Sequence, residues 1–411
     1  VISKLVPALR RWIVPSLALW AAGAMLYAGA AAAPGSMAGA KKEIEGFQTL
    51  APHAILIDAE SGTVLFEKAA DQPVPPASLL KLMTAEVVFN EIKEGNLKLD
   101  EEFIISERAW RKGGAPSGGS TMYAAIHSRI KVTDLLKGVI IHSANDACIA
   151  LAEGIAGNEE SFARLMNGRA HEIGLTKSNF ANPHGLPDPG NRVTARDLAK
   201  LSQHLIKTYP EFYKIYGQQE FTWNKIRQLN RNPLLAMNIG ADGLKTGFTQ
   251  EAGYNLVGSA VQNGLRLIVV VTGLKTAKDR ADEAKKLLEW GFKGFELRPL
   301  FAEGQVVGSA KLYGGAQGSV SLVGKGAINL MIPRNSSDKI LARVVYNGPV
   351  QAPVRQGQPI GMLKVWRGDS LTLEVPLEAA ESVERGNLPR RAFDAASELM
   401  IGLFRAGAAR I

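Results

Sequence analysis

Ser78 and Lys81, within Pro76-Ala77-Ser78-Leu79-Leu80-Lys81, stand three residues apart just ahead of an apolar helical run. On a helix this spacing puts the hydroxyl and the amine on one face. A serine becomes a nucleophile when a base takes its proton, and a lysine serves as that base only where burial or a second cation lowers its pKa. The spacing alone carries little, because Ser128 with Lys131 and Ser336 with Lys339 repeat it. Two later motifs set Ser78 apart: the single Ser-x-Asn, Ser143-Ala144-Asn145, and the single Lys-Thr-Gly, Lys245-Thr246-Gly247. A second hydroxyl, an amide and a second amine brought beside an activated serine are the parts of acyl-transfer chemistry.

These groups are far apart in sequence, so a sizeable fold must bring them together. The chain has 411 residues, which suits two domains with ample core. Its formal charge is +9, but Lys and Arg are interspersed with Asp and Glu, so a solvated surface is expected and not a nucleic-acid site. A basic surface also suits an anionic membrane or cell wall.

Residues 1–40 read as a secretory signal: Lys4, Arg10 and Arg11 precede an apolar run over 12–33, and Ala38-Gly39-Ala40 offers a small-residue cleavage site. The run is long enough to span a bilayer, so an uncleaved anchor is the alternative. Either way the body is exported. Cys148 is the only cysteine, which rules out an intramolecular disulfide and suits a small buried hydrophobe.

Two apolar runs over 54–58 and 63–68 flank Glu60-Ser61-Gly62 and predict a hairpin. Residues 79–92 predict a helix, with Pro75-Pro76 fixing its start. From 133 to 208 the periodicity is mainly helical, with loops at Asn182-Pro183-His184-Gly185 and 187–190. Residues 254–261 and 265–273 flank Asn263-Gly264, a strong hairpin signal, and 279–292 predict a last helix. This order gives an α+β fold, an antiparallel sheet with helices packed on it. The short alternating runs of 306–377, including 340–346, 361–366 and 371–376, predict a small all-β domain that acts as a spacer or docking unit. In the tail, Pro389 suits a first helical position. Phe393, Ala396, Met400, Leu403, Phe404 and Gly407 then share one face, away from Arg390, Arg391, Arg405 and Arg410, as in a helix lying in a membrane interface.

The three motifs resemble those of the low-molecular-mass penicillin-binding proteins, and most of all the D-alanyl-D-alanine carboxypeptidases, serine peptidases of the S11 type. The likeness extends to the flanking stretches 76–84, 118–122, 143–152, 226–232 and 242–258, and runs from about residue 41 into the tail. The resemblance implies a penicillin-binding/β-lactamase-like transpeptidase fold, with an all-helical subdomain beside the sheet. The small all-β domain and a C-terminal amphipathic helix would follow. The units expected are a signal at 1–40, a catalytic domain at 41–297, the β-domain at 298–383 and the membrane-associating helix at 384–411.

It further implies Ser78 as nucleophile, Lys81 as its base, and Ser143 as a proton relay. Asn145, Lys245, Thr246, Gly247, Phe248 and Arg280 would bind substrate, with the N–H groups of Ser78 and Phe248 as the oxyanion donors. No cofactor or metal is expected; the six histidines, among them His142 and His184, form no zinc-binding pattern. The substrate would be a peptidoglycan stem peptide ending in D-Ala-D-Ala, with β-lactams as covalent inhibitors. The site of action would be the periplasmic face of the inner membrane, whose surface the tail would touch.

Two departures stand out. Phe248 follows Lys-Thr-Gly where the family often has histidine, and Leu80 stands where threonine is common. Class A β-lactamases share the motifs but need a Glu-x-x-x-Asn element about 36 residues after the serine of Ser-x-Asn. Here that zone is Lys177-Ser178-Asn179-Phe180, without a carboxylate, so penicillin is expected to acylate Ser78 and leave slowly. A DD-endopeptidase, or a wall protein that binds penicillin without turnover, are the alternative functions.

Overall fold

The computed structural model describes residues 47–396 apart from positions 335, 337 and 393. The signal expected at 1–40 and most of the amphipathic tail therefore lie outside the described residues. Among those described, residues 388–392 are helical, and no helix is long and apolar enough to cross a membrane.

A five-stranded antiparallel sheet organises the catalytic part. Its order is Val64–Lys68, His53–Asp58, Leu265–Leu274, Gly253–Gln262, Ala241–Thr249. The predicted N-terminal hairpin is present and pairs along Leu265–Leu274, from His53 opposite Thr272 to Asp58 opposite Leu267. Both faces of these strands are covered. Ile55, Ile57, Ile268 and Val270 pack into the helical block, while Leu56, Leu267, Val269 and Val271 pack on Ala284, Leu287 and Leu288 of the helix Ala277–Gly294. Burial on both sides is why the run Leu267-Ile268-Val269-Val270-Val271 is continuously apolar and not alternating.

The helical block is centred on Lys81–Lys93, whose residues from Lys81 to Phe89 are all buried. A helix apolar on nearly every side must lie inside, and the helices Asn145–Ala156, Glu159–Ile173 and Ala195–Thr208 enclose it. Asn158 and Thr194 cap the latter two by accepting hydrogen bonds from Ser161 N and Asp197 N. The buried carboxylate of the central helix, Glu86, is paired with Arg169 at 2.7 Å and accepts from the Tyr209 hydroxyl.

One sequence expectation is modified here. The helix predicted from residue 79 begins as a 3₁₀ turn, Ala77–Leu80, and becomes α-helical only at Lys81. Pro75-Pro76 and a left-handed Ala77 (φ 48°) tighten the start, so Ser78 stands on a turn and not within the helix.

The helix Ala277–Gly294 runs directly into the strand Phe295–Phe301. The second unit is all-β, as expected: a six-stranded sheet containing Ile340–Tyr346, Pro359–Arg367 and Ser370–Ala379, beside the pair Phe295–Phe301 with Ile328–Pro333. Val320, Leu322, Leu330, Leu363, Val365 and Leu373 form its core. It is seated on the catalytic part through Phe295, whose ring meets Trp290 edge-on at 4.9 Å, and through Met331 N, which donates to Thr63 Oγ1 at 3.3 Å.

Candidate active site

The turn that carries Ser78 is held between two glycines. A Cβ at Gly185 would lie 2.0 Å from the Ala77 carbonyl oxygen, so only glycine lets the loop after Asn182 rest on the turn. On the other side, a Cβ at Gly247 would lie 3.1 Å from both Ser78 N and Leu79 N. The strand Ala241–Thr249 thus passes close against the backbone of the serine turn. Ala77, with its positive φ, is the strained residue that this sandwich keeps in place.

Lys81, the first residue of the helix, is fully buried and reaches back to the turn. Its Nζ lies 3.0 Å from Ser78 Oγ, 2.8 Å from Asn145 Oδ1 and 2.5 Å from the His184 carbonyl oxygen. Two of these partners can only accept, so a neutral amine spends its two hydrogens on them and turns its lone pair toward the Ser78 hydroxyl. Burial, with Arg231 adding to it, pulls the Lys81 pKa down to about 8. Geometry and charge both suit it to take a proton from Ser78.

Ser143 and Asn145 arrive from the helical side. A π turn, Gly138–His142, ends at Ser143 in the left-handed conformation (φ 67°), and the helix Asn145–Ala156 starts at once. Such turns inside helical runs often mark functional sites. Asn145 N donates to the Ser120 carbonyl at 2.7 Å, which fixes the amide that meets Lys81. The Ser143 hydroxyl is buried and makes no hydrogen bond among the described residues. Asp146 receives Thr121 Oγ1 at 2.6 Å together with the N–H groups of Met122, Ala124 and Ala147, and so ties the loop 120–124 to the Ser-x-Asn turn.

The Lys-Thr-Gly strand lies at one end of the sheet, with only Gly253–Gln262 as a strand neighbour. Lys245 and Thr246 are buried, and Lys245 Nζ donates to the Thr246 carbonyl at 3.1 Å. Its pKa is held well below the ordinary lysine value, first by burial and then by the charges of Lys81, Arg231 and Arg280. Four basic side chains thus act on one small region, an arrangement in which a bound anion would hold Lys245 charged. The Arg280 guanidinium lies 5.6 Å over the ring of Tyr254, and that ring meets Phe248 at 4.3 Å with planes tilted by 31°. Phe248 itself is 45% exposed.

Lys81 therefore meets both Ser78 and Asn145 directly, Gly247 abuts the Ser78 turn, and the charge of Arg280 reaches Lys245. Sequence reasoning singled out neither Arg231 nor Asp146. Arg231 donates to Ser120 Oγ at 2.5 Å. Nothing in its local sequence separates it from Arg227, which pairs with Glu220 on the surface. Asp146 had one legible sign, an acidic residue in the first turn of a helix, which is usually no more than a dipole partner.

The residues once compared with a β-lactamase glutamate are structural here. Lys177 N and Ser178 Oγ both donate to Asp197, and Phe180 is buried. His184 is also structural at its ring. Nδ1 accepts from Leu186 N and Nε2 donates to Glu159, while the backbone carbonyl is the group that meets Lys81. Cys148 is buried, and that burial pushes its thiol up to about 12, as befits an inert packing residue.

A serine turn under an edge strand, a buried lysine on the serine, and a Ser-x-Asn turn closing the third side define a penicillin-recognising active-site-serine acyl-transferase or hydrolase. The family model described as D-alanyl-D-alanine carboxypeptidase matches residues 39–276, and that of the penicillin-binding protein 5 C-terminal domain matches 295–385. The chain belongs to the D-alanyl-D-alanine carboxypeptidase family, and its activity is that of a serine-type carboxypeptidase. It is 43% identical over 344 residues to D-alanyl-D-alanine carboxypeptidase DacC of Escherichia coli, covering 83% of this chain and 86% of that protein. Penicillin-binding protein 5 from Haemophilus influenzae superposes with a TM-score of 0.70 at 38% identity, over 83% of this chain and all of that one. Penicillin-binding protein D2 from Listeria monocytogenes, solved in its cefotaxime-bound form, gives 0.55 at 34% identity over 60% of this chain and 99% of its own.

Proposed function

We propose that this carboxypeptidase removes the terminal D-alanine from peptidoglycan stem pentapeptides. Ser78 Oγ attacks the carbonyl of the penultimate D-alanine as neutral Lys81 takes its proton. The N–H groups of Ser78 and Phe248 stabilise the oxyanion, each such donor contributing roughly 3 kcal/mol. Ser143 relays a proton to the departing D-alanine nitrogen, and the peptide bond breaks to leave an ester on Ser78. Water then attacks that ester, with Lys81 again as base, and restores the serine.

The extended stem lies along the open edge of the Lys-Thr-Gly strand as an added strand, with Asn145 holding its amide. Its terminal carboxylate sits among Lys245, Thr246 and Arg280. The single observation that supports this reading most is the approach of the buried Lys81 Nζ to 3.0 Å from Ser78 Oγ while its other two partners are acceptors only.

β-Lactams acylate the same serine. The units are a signal at 1–40, a catalytic domain at 41–297, a β-domain at 298–383 that holds the catalytic domain off the membrane, and a membrane-associating helix at 384–411. The enzyme acts at the periplasmic face of the inner membrane.

Incubation with a peptide ending in D-Ala-D-Ala tests the reading: wild type is expected to release D-alanine and Ser78→Ala none. No release by wild type, or undiminished release by the variant, overturns it. Loss of membrane fractionation on deleting residues 389–411 tests the tail.

A further inference from the structure

His142 stands immediately before Ser143, half-buried at the end of the π turn. Its Nδ1 lies 3.3 Å from the Leu229 carbonyl oxygen, at the end of the hairpin strand Ile226–Leu229. Its Nε2 lies 3.4 Å from Arg231 Nη2. The chemistry of these partners fixes the ring's state. A carbonyl oxygen can only accept, so Nδ1 must carry a hydrogen; a guanidinium can only donate, so Nε2 must present a lone pair. Only the neutral Nδ1–H tautomer makes both bonds. Protonation puts a hydrogen on Nε2, facing a guanidinium with nothing to accept it.

Arg231 links this imidazole to the rest of the site. Its other arm bonds Ser120 Oγ, and Ser120's carbonyl receives Asn145 N. The imidazole therefore joins the Ser-x-Asn turn to the hairpin and to the guanidinium that acts on both Lys81 and Lys245. We propose that His142 is a positioning residue: its neutral ring holds Arg231 against Ser120 beside the Ser-x-Asn turn, and its protonation in acid releases that arginine and so withdraws one of the positive charges that favour the substrate carboxylate near Lys245.

The groups that face the ring agree with this. Arg231 from the segment after the hairpin and Lys245 from the Lys-Thr-Gly strand both oppose a second positive charge. Asp146, from the following helix, favours one, but its carboxylate is engaged by the 121–124 loop. The Leu229 carbonyl also favours the protonated form, though the neutral tautomer satisfies it equally. Burial first, and Arg231 second, hold the ring's pKa below its ordinary value.

The proposal rests on the carboxypeptidase reading above, so its experiment has one arm that needs turnover and one that does not. In the first, kcat/KM on a D-Ala-D-Ala peptide is followed from pH 5 to 9 in wild type, His142→Ala and His142→Gln. Glutamine can donate to Leu229 and accept from Arg231 but cannot titrate. The wild-type acid limb, of slope one through Lys81, is expected to show a second break, an extra fall of about tenfold, at a pH below the ordinary imidazole value, where the His142 ring protonates. In His142→Gln the slope stays at one. In His142→Ala activity falls about tenfold at neutral pH, mostly through KM, and glutamine restores most of that loss. A glutamine profile that keeps the second break, or an alanine variant indistinguishable from wild type, overturns the proposal.

The second arm follows the His142 ring by NMR in wild type and Arg231→Ala. Removing the guanidinium is expected to raise the ring's pKa toward the ordinary imidazole value, and an unchanged titration overturns the link. A protein with no peptide turnover would sink the carboxypeptidase reading, while this arm would still decide whether His142 and Arg231 are coupled.

Discussion

Gly247 and Ser78 approach so closely that a Cβ on the glycine would stand 3.1 Å from the serine's own nitrogen. That nitrogen is one of the two proposed oxyanion donors, so the strand's missing side chain and the donor's position are one fact of packing. Gly247→Ala is expected to push the Ser78 turn away from the strand. Acylation by a fluorescent penicillin should slow by at least about tenfold, since a lost oxyanion donor costs on the order of 10²–10³ in rate. The thermal midpoint should move little. A variant labelled at the wild-type rate would show that the turn yields without consequence.

As the proposed base Lys81 must be neutral, and burial pulls its pKa to about 8, so the rate of Ser78 acylation is expected to rise with pH through that region and level off above it. Lys81→Ala leaves Asn145 Oδ1 and the His184 carbonyl without their donor as well as removing the base. Acylation should fall by about 10²–10⁴-fold. Stopped-flow measurement of acylation between pH 6 and 10 checks both statements, and a flat profile would contradict the role of the amine.

Glu159 is the acid-sensitive joint behind the site. Burial alone would raise its pKa, but hydrogen bonds from His184, Lys112 and Arg108 outweigh it and hold the carboxyl near 2, below its unfolded value of 4.5. The sign follows: this carboxylate stabilises the fold above about pH 4.5, and the contribution is lost as pH falls toward 2. With solvent screening of the Arg108 and Lys112 arms, the effect is about 1–3 kcal/mol. Glu159→Gln should be less stable than wild type at pH 7, and the gap should narrow below pH 4. Urea melts at both pH values measure it, and a constant gap would argue against the assignment.

The Tyr254 ring packs under the Arg280 guanidinium on one side and against Phe248 on the other, and so orients the arginine proposed to bind the substrate carboxylate. Tyr254→Leu is expected to raise KM for a D-Ala-D-Ala peptide about tenfold with a smaller change in kcat, while Tyr254→Phe, which keeps the ring, should behave as wild type. A loss confined to kcat would point away from carboxylate binding.

What could be read from the chain, and what could not, divides by how each residue is held. Ser78 with Lys81, Ser143 with Asn145, and Lys245 with Gly247 are positioned by their own local turn, helix start or strand, so their spacing shows in sequence. The Asn263-Gly264 hairpin and the helix that follows it were legible for the same reason. The 3₁₀ start at Ala77–Leu80 was not, because it depends on Gly185 pressing on the Ala77 carbonyl from more than a hundred residues away. Arg231, Asp146 and His142 are likewise defined by partners that only the fold supplies: Ser120, the loop 121–124 and the Leu229 carbonyl. A surface arginine and a site arginine look alike until their neighbours are known.

The central sheet has an implication for how the protein matures. Its innermost strand, Leu265–Leu274, is the one on which the N-terminal hairpin is laid, and it is among the last parts of the catalytic unit to leave the ribosome. Until it arrives, the N-terminal hairpin has no strand to join and is not linked to the pair that carries Lys-Thr-Gly. The sheet that frames the serine site is thus completed only when Leu265–Leu274 has been made, long after the turn that carries Ser78.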